Sequence, residues 1–260
     1  MSQLQTLTVD SFHRLNPGWE INIYKAKQPY LGSGKYVPDY TGKDYFHLVE
    51  KMEYVNIETI NLDDYDISYE LHGILRSDIV RYHKLYEYGG VWSDFDVIWL
   101  KPMNHFYNID YVGNTQIKEI DGVVSFSKNT GGFHSIGVMI HRKQDDYILS
   151  LIEETKRVRP PYNHQSFGSA MIGSMYPTFD LLNDKFPNII GALYETYYPY
   201  SVSNFCRTRL YGEIDLTHIT KNTICIHWFN GHASSKAYVN GEGFDRECSM
   251  TAILKNEKLI

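Results

Sequence analysis

The chain has 260 residues, of which 43% are hydrophobic and 22% are charged, and its formal net charge is −6. This composition is typical of a globular protein with a sizeable core, and it excludes a nucleic-acid partner bound through a basic patch, because no block of Lys and Arg rises above the background. No apolar run approaches the ~20 residues that cross a bilayer, no signal peptide is recognisable, and the three cysteines lack zinc-site spacing, so we expect a soluble, cytoplasmic protein without a transmembrane segment.

The first part of the chain is predicted to contain two helices, a strand and a loop. In chain order these are a helix at Leu4 to Asn16, a strand at Trp19 to Tyr24, a loop or lid at residues 28–45, and a helix at Leu71 to Tyr88. Pro17-Gly18 ends the first helix and Gly89-Gly90 ends the second.

The rest of the chain alternates between strands and helices. Strands are predicted at Val91 to Leu100, Gly122 to Ser127, Ile136 to His141, Tyr194 to Tyr198 and Thr223 to His227, and helices at Asp145 to Arg157 and His164 to Met175. Such alternation indicates an α/β fold with a mostly parallel central sheet. Because no repeat or long linker interrupts the chain, residues 1–260 are predicted to form a single domain.

The helix at residues 71–88 carries a charged pair within its apolar stripe. Asp78 falls in the middle of the stripe and Arg81 at its edge. A buried carboxylate must be paired or hydrogen-bonded. Two interpretations stay open: an ion pair that only attaches the helix to the sheet, or a pair that points into a site and holds a polar ligand.

Two carboxylates follow on the next predicted strand. Residues i and i+2 of a strand share a face, so Trp92, Asp94 and Asp96 are expected to point the same way, with the Asp94 and Asp96 Cα atoms roughly 6.6 Å apart. This spacing predicts a division of labour, with one carboxylate on a divalent cation and the other on a hydroxyl or a metal-bound water. Mn²⁺ or Mg²⁺ held in this way would neutralise charge on a substrate diphosphate.

The run SDIVRYHKLYEYGGVWSDFD, from Ser77 to Asp96, closely resembles the DXD-containing sugar transferases of glycosyltransferase family thirty-two. This family includes fungal initiating mannosyltransferases and capsular polysaccharide transferases, and the clostridial glucosylating toxins share the pattern. The matched positions are Ser77, Asp78, Arg81, Leu85, Gly89, Gly90, Asp94 and Asp96. Trp92 stands where the family usually has Tyr.

The resemblance implies a GT-A type, Rossmann-like sandwich and transfer with retention at the anomeric carbon. Carried over by position, Asp78 and Arg81 would bind the hydroxyls of the donor hexose. Asp94 would contact the ribose and the sugar beside Trp92, and Asp96 would bind the metal on the diphosphate. These four charged residues are the predicted catalytic residues.

A weaker likeness extends to both sides of this run. Residues Leu7 to Tyr24 resemble the family's early helix and second strand, and the segment from Cys225 to Gly231 resembles its His-x-x-x-Gly segment. His227 is therefore predicted as a metal ligand together with Asp96 and Asp94, and Gly231 and Lys236 as contacts to the diphosphate. The family's usual first strand would precede Met1, so the base is expected to be bound differently, and His232 and Ala233 replace the usual Ser-Trp.

The resulting prediction is a retaining hexosyltransferase of polysaccharide biosynthesis. UDP-glucose is the favoured donor with GDP-mannose as the runner-up, and the acceptor would be a glycan or a lipid-linked sugar, which could bring the protein to a membrane surface. Candidate acceptor contacts are Asn129, His141 and Asn163 to Gln165. The alternatives are an Asp-dependent sugar hydrolase and a non-catalytic nucleotide-sugar-binding relic.

Overall fold

The computed structural model describes residues 1–28, 41–108, 111–112, 120–126, 135–200, 209–241 and 243–260. The helices are α1 (Gln3–Leu15), α2 (Phe46–Val49), α3 (Gly73–Tyr88), α4 (Asp146–Thr155), α5 (Ser169–Met175), α6 (Phe179–Lys185), α7 (Ala233–Asn240) and α8 (Ser249–Asn256). The strands are β1 (Ile21–Ala26), β2 (Val55–Ile60), β3 (Gly90–Ser93), β4 (Val97–Trp99), β5 (Tyr111–Val112), β6 (Gly122–Phe126), β7 (Val138–His141), β8 (Ile189–Leu193) and β9 (Cys225–His227). Short 3₁₀ turns lie at Leu62–Tyr65, Met103–Asn108, Tyr194–Thr196 and Gly243–Asp245.

The strands form three sheets within the described residues. A five-stranded sheet has the order β3-β7-β6-β8-β5, and two small sheets pair β1 with β2 and β4 with β9. In the five-stranded sheet only β6 and β8 are parallel, while β3–β7, β7–β6 and β8–β5 are antiparallel. The α/β class is confirmed, whereas a mostly parallel central sheet is not. Alternation of helices and strands does not determine which strands become neighbours.

Two large apolar clusters of the core pack against different sheets. One apolar cluster joins α3, α4, α5 and α6 to the five-stranded sheet, around Tyr82, Tyr147 and Leu151. A second cluster packs α1, α7 and α8 against β4 and β9, around Ile98 and Trp228. The turn that leads from β3 to β4 therefore joins the five-stranded sheet to a strand that packs in the second cluster. None of the described helices combines the length and hydropathy that crossing a bilayer requires.

Local sequence features account for the best-predicted elements. A capping box starts α1, because Ser2 Oγ accepts from Gln5 N–H and Gln5 Oε1 accepts from Ser2 N–H. Helix α3 ends at Gly89, whose φ of +69° suits glycine. A Cβ at Gly89 would lie 2.4 Å from the Lys143 backbone nitrogen, so this glycine also permits close packing of the chain after β7.

Three of the predicted elements differ from the structure by more than two residues at an end. The predicted strand Val91 to Leu100 is two strands, β3 and β4, which belong to different sheets. The strand predicted at Tyr194 to Tyr198 begins as a 3₁₀ turn, and the strand itself is β8, just before it. Helix α5 starts at Ser169 rather than His164. Most of the predicted loop, residues 29–40, lies outside the described residues, as does Asn129.

Candidate active site

The two carboxylates of the DXD motif lie in the turn between β3 and β4. Asp94 N–H donates to the Gly137 carbonyl at 2.8 Å, which extends the β3–β7 pairing. Trp228 N–H donates to the Asp96 carbonyl at 2.8 Å, which extends the β4–β9 pairing. The chain thus leaves one sheet and enters another within three residues. The prediction that both side chains project from one face of a single strand is wrong.

This turn brings three potential metal ligands together. A carboxylate oxygen of Asp94, a carboxylate oxygen of Asp96 and a ring nitrogen of His227 all lie within 4.8 Å of one another. Among the described residues, this is the one group of three or more such side chains. One cation could therefore contact both carboxylates, although the strand spacing predicted a division of labour between them.

Asp96 is held on both of its oxygens. Its Oδ1 lies 3.1 Å from His227 Nε2, and its Oδ2 accepts the Asn230 N–H at 2.8 Å. Phe229, in the left-handed region with φ of +55°, turns the chain so that this N–H reaches the carboxylate. The Phe229 N–H also donates to His227 Nδ1 at 3.2 Å.

The contact between Asp96 and His227 governs both pKa values. Burial alone would raise the pKa of Asp96, but His227 and the backbone N–H of Asn230 outweigh it and the pKa is lowered. Burial alone would lower the pKa of His227, but Asp96 outweighs it and the pKa is raised. The pair is therefore stabilised in its charged form when no other cation is bound.

The charged pair on α3 is buried and faces the same turn. Arg81 Nη2 lies 3.2 Å from Asp78 Oδ1 and 2.9 Å from Asp94 Oδ1, and Arg81 Nη1 donates to the Ile136 carbonyl. Burial raises the pKa of Asp78 to about 7, and it also raises the pKa of Asp94 despite the opposing charge of Arg81. Arg81 therefore connects the helix to the DXD motif.

Trp92 supports this arrangement as well as lining the cleft. Its indole N–H donates to Asp94 Oδ1 at 3.0 Å, and its ring lies 5.2 Å from Arg81 Cζ. The Tyr24 ring is stacked on it, with centroids 6.3 Å apart and an interplanar angle of 6°. Trp92 thus helps to orient Asp94.

A cleft of about 1540 Å³ is lined by the DXD turn, by one side of α3 and by the segment after β9. Most small-molecule pockets are smaller, roughly 300 to 1,000 Å³, so this cleft can hold two substrates. The cleft is also lined by His164, Gln165, Gly231 and Lys236. Asn163 is not among its lining residues, and its side chain accepts the Gln165 N–H.

His141 is not an acceptor contact in this structure. It is 3% exposed, and its Nδ1 lies 2.5 Å from Asp145 Oδ2. It does not line the cleft, because it ends β7 on the side that faces α4. The pattern of a His after an apolar strand did not distinguish a buried structural pair from a site residue.

Gly137 and Tyr198 are site residues that the sequence analysis did not identify. A Cβ on Gly137 would lie 2.8 Å from His227 Cδ2, 2.9 Å from His227 Nε2 and 3.0 Å from the Tyr198 hydroxyl. An isolated glycine next to a strand often marks such a close approach, so the glycine just before Val138 could have been predicted as a position of close packing. The Gly137 carbonyl accepts the Asp94 N–H, and the absence of a side chain on Gly137 leaves room for the His227 ring.

We expect Gly137→Ala to weaken Mn²⁺ binding at least about tenfold, because the added methyl group must displace the His227 ring from Asp96. Calorimetric titration of Mn²⁺ measures this effect. Gly173→Ala is the matched control, since no heavy atom lies within 4 Å of its Cβ position inside α5. Equal Mn²⁺ affinity in Gly137→Ala and the wild-type protein would contradict the role of His227 as a ligand.

The donor set fits a divalent cation. Two carboxylates and one imidazole suit Mn²⁺, and the carboxylates alone suit Mg²⁺. Around the DXD turn, the three carboxylates of Asp78, Asp94 and Asp96, when all are ionised, outnumber the two basic groups of Arg81 and His227, so a bound cation would compensate this local charge.

Comparisons of the whole chain with known proteins give only distant similarities. The comparison with curated proteins found no match. Among solved structures, "PaToxG Glycosyltransferase" aligns with 15% identity and a TM-score of 0.44, covering 72% of this chain and 69% of that one. An active-site mutant of LgtC aligns with 12% identity and a TM-score of 0.41, covering 87% and 82%.

The family match is more local. Residues 2–113 match the family described as "Glycosyltransferase sugar-binding region containing DXD motif". The matched segment includes Asp78, Arg81, Asp94 and Asp96 but not His227. Over less than half of its length, the chain is therefore similar to the sugar-binding region of DXD glycosyltransferases.

Proposed function

We propose that the protein is a metal-dependent glycosyltransferase of GT-A type that moves a hexose from a nucleotide-sugar donor to a hydroxyl acceptor with retention of configuration. The observation that carries the proposal is the convergence of Asp94, Asp96 and His227 at the turn of a matched DXD segment, beside the buried Asp78–Arg81 pair. Both features line one cleft.

The metal ion would be bound by Asp96 and His227, with Asp94 next to them, and these residues form the metal end of the site. A bound Mn²⁺ or Mg²⁺ supplies positive charge for the negative charge that develops on the departing diphosphate. The backbone contact from Asn230 keeps the Asp96 carboxylate oriented, so little reorganisation is needed when the ligand binds.

The donor hexose would be bound by Asp78, Arg81 and Asp94, which form the sugar end of the site. Arg81 Nε is buried and has no hydrogen-bond partner among the described residues, and Asp78 is 4% exposed. Hexose hydroxyls both donate and accept hydrogen bonds, so they can satisfy carboxylate oxygens and guanidinium hydrogens at the same time. This supports the second interpretation of the helix charge while the Asp78–Arg81 ion pair is retained.

The diphosphate would extend from the metal end toward the segment that follows His227. Gly231 and Lys236 line the cleft there, before and within α7. Lys236 carries a positive charge that suits phosphate oxygens. UDP-glucose remains the favoured donor and GDP-mannose the runner-up, with a glycan or a lipid-linked sugar as the acceptor in polysaccharide synthesis.

For the chemical step we favour substitution on a single face of the sugar. The bond from the anomeric carbon to the phosphate oxygen breaks, a bond to the acceptor oxygen forms on the same face, and the acceptor proton passes to the departing phosphate. The side chains then contribute positioning and charge stabilisation, with Asp78 and Arg81 holding the hexose during transfer.

A thermal-shift screen with UDP-glucose and GDP-mannose, each with Mn²⁺, Mg²⁺ or EDTA, tests this function. We expect one nucleotide sugar to raise the melting temperature only with the metal, because a ligand at 100 times its Kd adds about 2.7 kcal/mol. No stabilisation by either donor with metal would contradict the proposal.

Product analysis separates the proposal from its alternatives. Transfer to an added glycan acceptor supports the transferase. Release of free sugar that is independent of any acceptor would favour a hydrolase, and metal-dependent donor binding without turnover on any acceptor would favour a binding protein.

A further inference from the structure

A buried hydroxyl at the floor of the cleft has no role in the proposed site so far. Tyr198 lines the cleft and is 2% exposed. Its hydroxyl has no hydrogen-bond partner among the described residues. The Ser135 side chain lies near the Tyr198 hydroxyl, but the two groups do not have the geometry of an ordinary hydrogen bond. Buried polar groups are nearly always paired, so an unpaired hydroxyl in a cleft indicates a missing ligand.

The position of this hydroxyl indicates which part of a ligand it meets. The Tyr198 ring centroid lies 5.1 Å from that of His227. The Tyr198 hydroxyl and His227 Nε2 lie 3.0 Å and 2.9 Å from the same point, the Cβ position that Gly137 leaves empty. His227 Nε2 in turn faces Asp96 at 3.1 Å. The hydroxyl therefore lies beside the metal end of the site.

We propose that the Tyr198 hydroxyl donates a hydrogen bond to a phosphate oxygen of the metal-bound nucleoside diphosphate. The proposal rests on the proposed function, because Asp96 and His227 must hold that diphosphate through the metal. A phosphate oxygen is an acceptor that matches the hydrogen of a phenol. Gly137 makes the contact possible, since any larger residue would fill the space between Tyr198 and His227.

The test compares Tyr198→Phe with the wild-type protein. Mn²⁺ is titrated alone, and UDP, GDP and their sugar forms are then titrated at saturating Mn²⁺. We expect unchanged Mn²⁺ affinity, and about 3- to 12-fold weaker binding of whichever of UDP and GDP the wild type binds, the scale of one hydrogen bond. The melting temperature of the unliganded variant is expected to stay the same or rise, because an unpaired buried hydroxyl has been removed.

Tyr147→Phe is the matched control. Tyr147 is also fully buried with an unpaired hydroxyl, but it lies in the core between α4 and its neighbours and does not line the cleft. Its removal should leave every ligand affinity unchanged. An equal loss of diphosphate affinity in Tyr147→Phe would overturn the proposal, because the effect would then be general.

The remaining outcomes also decide the matter. Equal diphosphate affinity in Tyr198→Phe and wild type would overturn the contact. A loss confined to the nucleotide sugar would overturn the phosphate assignment and move the contact to the hexose. Weaker binding of Mn²⁺ alone would show that Tyr198 acts through His227. Failure of the wild type to bind Mn²⁺ or either diphosphate would instead contradict the proposed function itself.

Discussion

Asp96→Asn is expected to lower turnover by at least about 100-fold, the scale of removing one group that stabilises transition-state charge. The asparagine oxygen can still accept the Asn230 N–H, so the turn should keep its shape, but the negative charge that attracts the metal is lost. Turnover at saturating donor measures the loss, and Mn²⁺ titration measures the accompanying fall in metal affinity.

Asp145→Asn is the matched control for this variant. Asp145 also faces a buried histidine, with His141 Nδ1 at 2.5 Å, and it also accepts a backbone N–H, from Tyr147. It lies outside the cleft, so its replacement should lower the melting temperature while leaving Mn²⁺ affinity unchanged. Near-normal turnover in Asp96→Asn, or full wild-type activity in excess EDTA, would contradict a metal role for Asp96.

Asp78→Asn is expected to separate sugar binding from stability. Affinity for the full nucleotide sugar should fall by roughly 1.5 to 3 kcal/mol, the range for a hydrogen bond to a charged group. Affinity for the nucleoside diphosphate should survive, because it depends on Asp96 and the metal. Calorimetric titration of both ligands into both proteins measures the difference. Equal losses for the two ligands would refute contact with the sugar.

The pH dependence of stability provides a second readout for Asp78. Burial raises its pKa to about 7, so the folded protein keeps a proton that the unfolded chain loses near pH 4. The stability contributed by this group is therefore complete below pH 4 and is lost as the pH rises toward 7. Asparagine resembles the protonated form and has no such dependence.

Relative to wild type, the unliganded Asp78→Asn protein should therefore become more stable as the pH rises from 5 to 8. Melting temperatures measured across this range check the sign. A large drop in melting temperature at pH 8, with equal loss of both ligands, would restore the interpretation of Asp78 and Arg81 as a purely structural pair.

Helix α3 and its polar pair could be predicted from the sequence because their causes are local. Apolar spacing places Asp78 and Arg81 on the buried side of the helix, and Gly89 ends it where a positive φ is required. The two Asp residues of the DXD motif were recognisable for the same reason, as a short pattern of residue types. Helix α1 was likewise predictable, because its capping box lies within five residues of the chain.

The shape of the site depended on contacts between distant segments. Asp94 pairs with the segment before β7 and Asp96 with the segment after β9, so the motif becomes a turn between two sheets although its sequence is typical of one strand. Periodicity reports which face of an element is buried, not which strand will be its neighbour. The convergence of His227 on Asp96, the space left by Gly137 and the unpaired Tyr198 hydroxyl follow from that choice of neighbours, so only the tertiary structure decided them.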